Sequence, residues 1–325
     1  MSYGQDARVG ISFQGTYGTA SVASLHWLEP ISESVVLSKA QIMQKGLRGI
    51  YDKGLNQEGA NTIAGDLTIE AKANALGVLL SSVNATPTTS TTGATSGTMF
   101  THVFRPRQSD FSALSAERPF TYLKFMGDAG SAHQYFDLNA DNLELSISNG
   151  ELLTAKIGIV GGSYARIASV AATYSGSNAI DWSVSSVVFG GVALANLQSL
   201  SITQSNNLQA KHLVDTDKFP ARIKRTDSRM IEISGTMIFD DQVEYNSFLA
   251  QSDQVLNIFL RGQAQVQSGF FESLLVEIPS VRYTELPLVV AGAGEVEVSF
   301  KGIAQYHTGS ATAISYTLNC GRSGF

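Results

Sequence analysis

A strand-and-helix block that occurs twice, with a glycine at the same place each time, limits most tightly what this chain can fold into. In "NTIAGDLTIEA", beginning at Asn61, the residues Ile63, Leu67 and Ile69 share one face with Gly65, while Thr62, Asp66, Thr68 and Glu70 share the other. In "MIEISGTMIFD", beginning at Met230, the apolar face is Ile231, Ile233, Met237 and Phe239 around Gly235; Glu232, Ser234, Thr236 and Asp240 oppose it, with Ile238 the exception. After each strand the apolar period changes from two to that of a helix. "EAKANALGVLLSSV" from Glu70 places Leu76, Leu79, Leu80 and Val83 on one helical face. "DDQVEYNSFLA" from Asp240 carries Val243, Phe248 and Leu249, with an Asp241 to Glu244 capping pattern.

The order of the surrounding parts repeats as well. A strand near Val35 to Leu37, a long polar loop, the block and the hairpin "SISNGELLTAKIGIVGG" form one series. A strand near Leu200 to Ile202, another long loop, the second block and "VVAGAGEVEVSFKGIAQ" form the other. Matching Gly150-Glu151 to Gly294-Glu295 sets Leu153, Ala155 and Ile157 against Glu297, Ser299 and Lys301, which would exchange buried and exposed faces. Alternation therefore outranks the letter match, and the alignment of the hairpins stays open. The expected organisation is an N-terminal arm and first strand region over 1–33, a unit over 34–165, a linker over 166–183, a second unit over 184–308 and a tail over 309–325. "NATPTTSTTGATSGT", from Asn84, has no counterpart in the second half and reads as a surface loop.

Scarce proline, abundant glycine and recurrent β-branched runs point to a mainly β protein with two flanking helices. A chain of 325 residues that is 43% hydrophobic can bury two cores. The net charge of −6 argues against a protein that grips nucleic acid through a basic surface. The single Cys320 excludes an internal disulfide, and His26, His102, His133, His212 and His307 lack metal-ligand spacing. Neither a nucleophile elbow nor a Walker sequence occurs, and "GAGEVE" at Gly292 leads into an alternating strand instead of a helix. No catalytic, cofactor-binding or metal-ligating residue is therefore expected, and no enzyme. The first residues lack a signal-peptide pattern and no apolar run could span a bilayer, so a soluble protein without membrane partners is expected.

Two charged loops stand out. "KAQIMQKGLRGIYDKGLNQEG" from Lys39 holds Lys45, Arg48 and Lys53; "NNLQAKHLVDTDKFPARIKRTDSR" from Asn206 holds Lys211, Lys218, Arg222, Lys224 and Arg225. Loops of about 20 residues inside compact units are uncommon, and two at equivalent places favour contact with a partner.

In succession, "GISFQGTYGTA", "WLEPISESVVL", "GLRG", "FTHVFRP", "LELSISNGELLTAKIGIVG", "LQSLSITQSNNL" and "ISGTMIFDD" resemble the phage tail tube proteins of long-tailed, siphophage-type phages. The resemblance implies β-sandwich or barrel units, each with one flanking helix, that assemble into a continuous β-barrel tube of stacked rings in the virion tail after assembly in the host cytoplasm. It implies as partners the chain itself, a tape measure protein, tail terminator and baseplate proteins, and double-stranded DNA in passage without specific binding. On this reading Asp66, Thr68, Glu70, Glu232, Thr236 and Asp240 face the lumen, and the charged loops, with Lys45, Arg48, Lys53, Lys211, Lys218, Arg222, Lys224 and Arg225, touch the next ring. Glu70 and Asp240 have an equal claim as helix caps. A wall clearing duplex DNA needs a diameter of roughly 45 Å and about 23 tilted strands. At the family's four wall strands per unit, three duplicated chains suffice where six overfill. Alternatives are a tail terminator, a baseplate hub, a secretion-system tube protein, or a β-sandwich binding module.

Overall fold

A computed structural model describes residues 6–325 apart from 47–51, 53–55, 93–98, 109–117, 128–129, 175, 215–216, 240–241, 268 and 289–295. The chain is mainly β. In its first half β1 (Arg8–Phe13), β2 (His26–Leu28), β3 (Pro30–Glu33), β4 (Val36–Met43) and β5 (Asn56–Glu70) precede α1 (Ala73–Val83). β6 (Thr88–Thr92), β7 (Met99–Phe104), β8 (Phe120–Phe125), β9 (Ser131–Ser148) and β10 (Thr154–Ala168) follow it. The second half runs through β11 (Ser185–Phe189), β12 (Val192–Ala193), β13 (Leu197–Ser205), β14 (Leu208–Lys211), β15 (Arg222–Arg225) and β16 (Met230–Ile238) to α2 (Val243–Leu249). It ends with β17 (Gln254–Gln267), β18 (Phe270–Glu285), β19 (Glu297–Ala304) and β20 (Ser315–Cys320).

One antiparallel sheet crosses the whole molecule in the order β4–β5–β10–β9–β13–β16–β19–β18. Its first four strands come from the first half of the chain and its last four from the second. Each foursome is ordered alike: opening strand, glycine-bearing strand, last strand, penultimate strand. β9 makes the join because it changes neighbours along its 18 residues. Its first part lies between β8 and β10, and its last part lies between β10 and β13. β18 behaves similarly, lying between β17 and β20 at first and against β19 at its end.

Alternation sets the layers. Ile63, Leu67, Ile157, Leu143, Ile202, Ile233 and Val298 point from the sheet into a core that all seven share. A second layer closes over that core. It comprises β2–β1–β8 on the first half and β12–β11–β17 on the second, the latter continued from β18 through β20 to β7 and β6. The segment over 1–33, expected as arm and first strand region, thus supplies β1 to this layer. In the segment expected as linker, Ile180 is fully buried and its N–H donates to Ala71 O at 3.1 Å.

The two glycines have one physical reason. A Cβ on Gly65 would lie 2.4 Å from Ser34 O, and a Cβ on Gly235 would lie 2.4 Å from Ser199 O, so only glycine lets the opening strand cross so closely. The register of the hairpins is settled by pairing: Ile63 faces Gly161 and Ile233 faces Gly302. Gly161 therefore matches Gly302 and Ile157 matches Val298. Alternation was the right guide, and the Gly150 to Gly294 match is wrong in register and in face.

Three expectations need correction. Both charged loops begin and end in paired strands, β4 with β5 in the first and β14 with β15 in the second. The Ser/Thr/Gly-rich insertion contributes β6, paired to β7, where a loop was expected. The helix N-caps are Lys72 and Gln242, neither with a side-chain capping bond, so Glu70 does not cap α1; Asp241 lies outside the described residues.

Candidate functional site

The face of the eight-stranded sheet turned away from the core has no partner layer among the described residues. Strand pairing arranges it in rows. One row reads Glu70, Thr154, Ser146, Ser201, Ser234, Lys301 across β5, β10, β9, β13, β16 and β19. The next reads Thr68, Lys156, Glu144, Thr203, Glu232, Ile303. A third sets Ser148, Ser199, Thr236 and Ser299 side by side, with Ser199 Oγ and Thr236 Oγ1 2.7 Å apart. Small hydroxyl side chains in neighbouring strands give a surface that hydrogen-bonds water, interrupted by Ile238 on β16 and Ile303 on β19.

The charges are mixed where the sequence pointed to acid alone. Lys156 Nζ lies 3.2 Å from Asp66, and Lys301 Nζ lies 2.9 Å from Glu285. Glu70, Glu144, Glu232 and Glu297 take part in no ion pair among the described residues, which leaves the face negative on balance.

Asp66, Thr68, Glu70, Glu232 and Thr236 all belong to this face, and Asp240 lies outside the described residues. Ser146, Ser148, Ser199, Ser201 and Ser299 are among the members that the sequence did not single out, as are Glu144, Thr154, Lys156, Thr203 and Lys301. The signal for the first four was present in "LELSIS" and "LQSLSITQS", whose alternation marks strands with a hydroxyl face.

The charged hairpins meet one another. Lys218 Nζ, in the turn region between β14 and β15, lies 2.6 Å from Glu58 on β5, and Lys39 on β4 lies 3.2 Å from the same carboxylate. Hydrogen bonds from Lys218 and Lys39 hold the Glu58 carboxyl down at about 2. The Asn61 N–H adds a backbone bond to Lys218 O at 2.8 Å. Lys45 is exposed just beyond β4, while Arg48 and Lys53 lie outside the described residues. Lys211 closes β14, and Arg222, Lys224 and Arg225 belong to β15. Ile223, on the same strand, packs at Gly161, whose φ of +111° and lack of a side chain admit it.

No group of three metal-ligating side chains forms among the described residues. The perturbed groups stand apart: burial, then Arg322 and Arg118, lower His26 to about 4, whereas burial raises Glu272 to about 7. What the geometry offers is a broad, hydroxyl-rich, weakly anionic sheet face whose end strands are each paired on one side alone among the described residues.

A family model described as phage tail tube protein matches residues 4–300. The chain belongs to the phage tail tube protein family. No curated protein matches it. As a tail tube protein it is a structural component of the virion tail, in a family that is not enzymatic. No helix among the described residues is long and apolar enough to cross a membrane.

Proposed function

We propose that this tail tube protein is the major subunit of the tube. Copies close into rings, rings stack, and the channel holds the tape measure protein before it conducts DNA. The observation that carries the proposal is the eight-stranded sheet itself, polar on one face, packed on the other and open at both ends. Unpaired strand edges invite pairing with another chain, and closing a sheet into a barrel removes them. β4 is paired on one side by β5, and the end of β18 on one side by β19, so the two edges are equivalent to the two halves of a joint.

The repeated strand order favours reading the chain as a duplicated unit with four wall strands each. Three chains then give about 24 strands, against the roughly 23 that a channel for duplex DNA requires. The weakly anionic face would repel phosphate at close range, and its serine rows would let a polyanion slide without anchoring it. The hairpins with Lys45, Arg48, Lys53, Lys211, Lys218, Arg222, Lys224 and Arg225 serve ring-to-ring stacking. Terminator and baseplate proteins would cap the two ends, and assembly takes place in the host cytoplasm.

Electron microscopy of the purified protein is the test. Long hollow cylinders with three chains per ring and Asp66 and Glu232 in the bore are expected. Single rings that never elongate would instead identify a hub or terminator, and six chains per ring would show that the second half stands outside the wall. Reversing the charges of Arg222 and Arg225, with Lys218 spared to keep the Glu58 contact, should leave folded protein that fails to elongate in sedimentation.

A further inference from the structure

The two helices follow equivalent strands but have different surroundings. α1 lies where the first foursome gives way to the second, and nine of its 11 residues are buried. Part of that cover comes from the far end of the chain: β20 lies against β18, and the Phe325 ring occupies the space above Gly77, 2.1 Å from where a Cβ would stand. α2 packs on β18 with no buried residue, and Val243 and Leu249 are 51% and 62% exposed.

Strand pairing identifies what α2 lacks. β20 lies beside the first part of β18 as the second half of β10, Ser163 to Ala168, lies beside the first part of β9, Ser131 to Phe136. The counterpart of the surface that covers α1 is therefore the outer β9–β10 ladder. Within one chain that ladder belongs to the opposite foursome from α2. Placed on a second copy whose β4 edge continues the wall from β18, it would sit over α2.

Resting on the ring reading above, we propose that a second copy of this chain seats its β9–β10 ladder over α2 while its β4 edge pairs with the end of β18. The contact repeats between chains the joint that β9, β13, α1 and β20 make within one. The register follows. Ser34 and Ser199, each against its wall glycine, set Lys39 at the place of Gln204, which faces Leu143. Extending the Glu285–Lys301 pairing by three residues sets Leu288 opposite Val298, the counterpart of Ile157, which also faces Leu143. Lys39 of one copy thus lies opposite Leu288 of the next, at a distance that a disulfide can span.

Two variants of the full chain test the seat. Lys39→Cys with Leu288→Cys is expected to give, in oxidised tubes, covalent oligomers that end at three chains, with neither single variant doing so. Leu249→Asp should remain folded, with unchanged circular dichroism and melting temperature, while the critical concentration for assembly rises at least tenfold; Leu249→Met should assemble normally. Tubes that form without the cross-link, or Leu249→Asp growing at the wild-type concentration, would overturn the seat and leave the ring reading standing. Failure of the wild-type protein to form rings or tubes at all would defeat both.

Discussion

α1 has nine of its 11 residues buried and α2 has none, although each follows a strand whose glycine admits a serine carbonyl to 2.4 Å of its missing Cβ. The constraint common to the two halves therefore lies in the eight-stranded sheet, where backbones cross closely, and not in the helices. What surrounds the sheet differs freely. The first half adds β6 and β7 after its helix, and the second adds the β14–β15 hairpin before its glycine-bearing strand. The sheet geometry tolerates one sequence solution at each glycine, whereas its outer cover can be supplied by a distant segment of the same chain or left open.

The comparison breaks most readily at the glycines themselves. Gly65 has a φ of +155° in addition to its close contact, so Gly65→Ala should cost about 4 kcal/mol through backbone strain and overlap together. Gly235→Ala meets overlap alone and should cost about 2 kcal/mol. Urea denaturation of both reads the difference, and equal losses would show that backbone strain does not distinguish the two sites. The helices come next. Leu79→Ala, at a fully buried position of α1, should cost about 3 kcal/mol, while Leu249→Ala should change monomer stability by less than about 0.5 kcal/mol. Calorimetry of unassembled protein decides it.

A smaller effect separates two buried carboxyls. Asp137 in the first half is raised by burial but accepts bonds from the Gly18 N–H at 2.7 Å and Gln14 Nε2 at 3.2 Å. Glu272 in the second half is raised to about 7 by burial alone. Glu272 stays neutral in the folded chain after it has ionised in the unfolded one. Its contribution is therefore complete below about pH 4.5, declines as the pH rises to about 7 and is level beyond. Glu272→Gln should abolish that part of the slope of stability against pH; an unchanged slope would place the titration elsewhere. Least is expected of Glu58→Gln. Its carboxylate stays ionised until the pH falls to about 2, so the melting temperature should be unmoved near neutrality, and only the mutual position of the two charged hairpins, read by cross-linking, should loosen.

Strands with one apolar face were legible in the sequence. β5, β16 and the β9–β10 hairpin declared themselves through Ile63, Ile233, Leu143 and Ile157, because burial on one side enforces a period of two. β6, β14 and β15 did not. "TTSTT" and "RIKR" are held by ladder bonds to a neighbour and carry no apolar alternation, so polar composition reads as loop. Pairing between distant segments was equally hidden. Nothing local in Tyr316 or His102 announces that β20 lies between β18 and β7. The candidate face was half visible for a related reason: Asp66 and Glu232 stood out by charge, whereas the serines of its rows became meaningful only once those rows were assembled.

The pairing of β7 with β20 has a mechanical consequence. It ties an excursion from the first half to a strand that follows the second, so the two foursomes are fastened in the outer layer as well as by β9 and β13 in the eight-stranded sheet. Each chain is then a stiff double segment, clamped on both skins. In the proposed ring of three chains, flexure would concentrate in the three seams between chains and spare the three within them. In a tube so built, the angular offset between successive rings decides whether those soft seams run straight along the axis or wind around it.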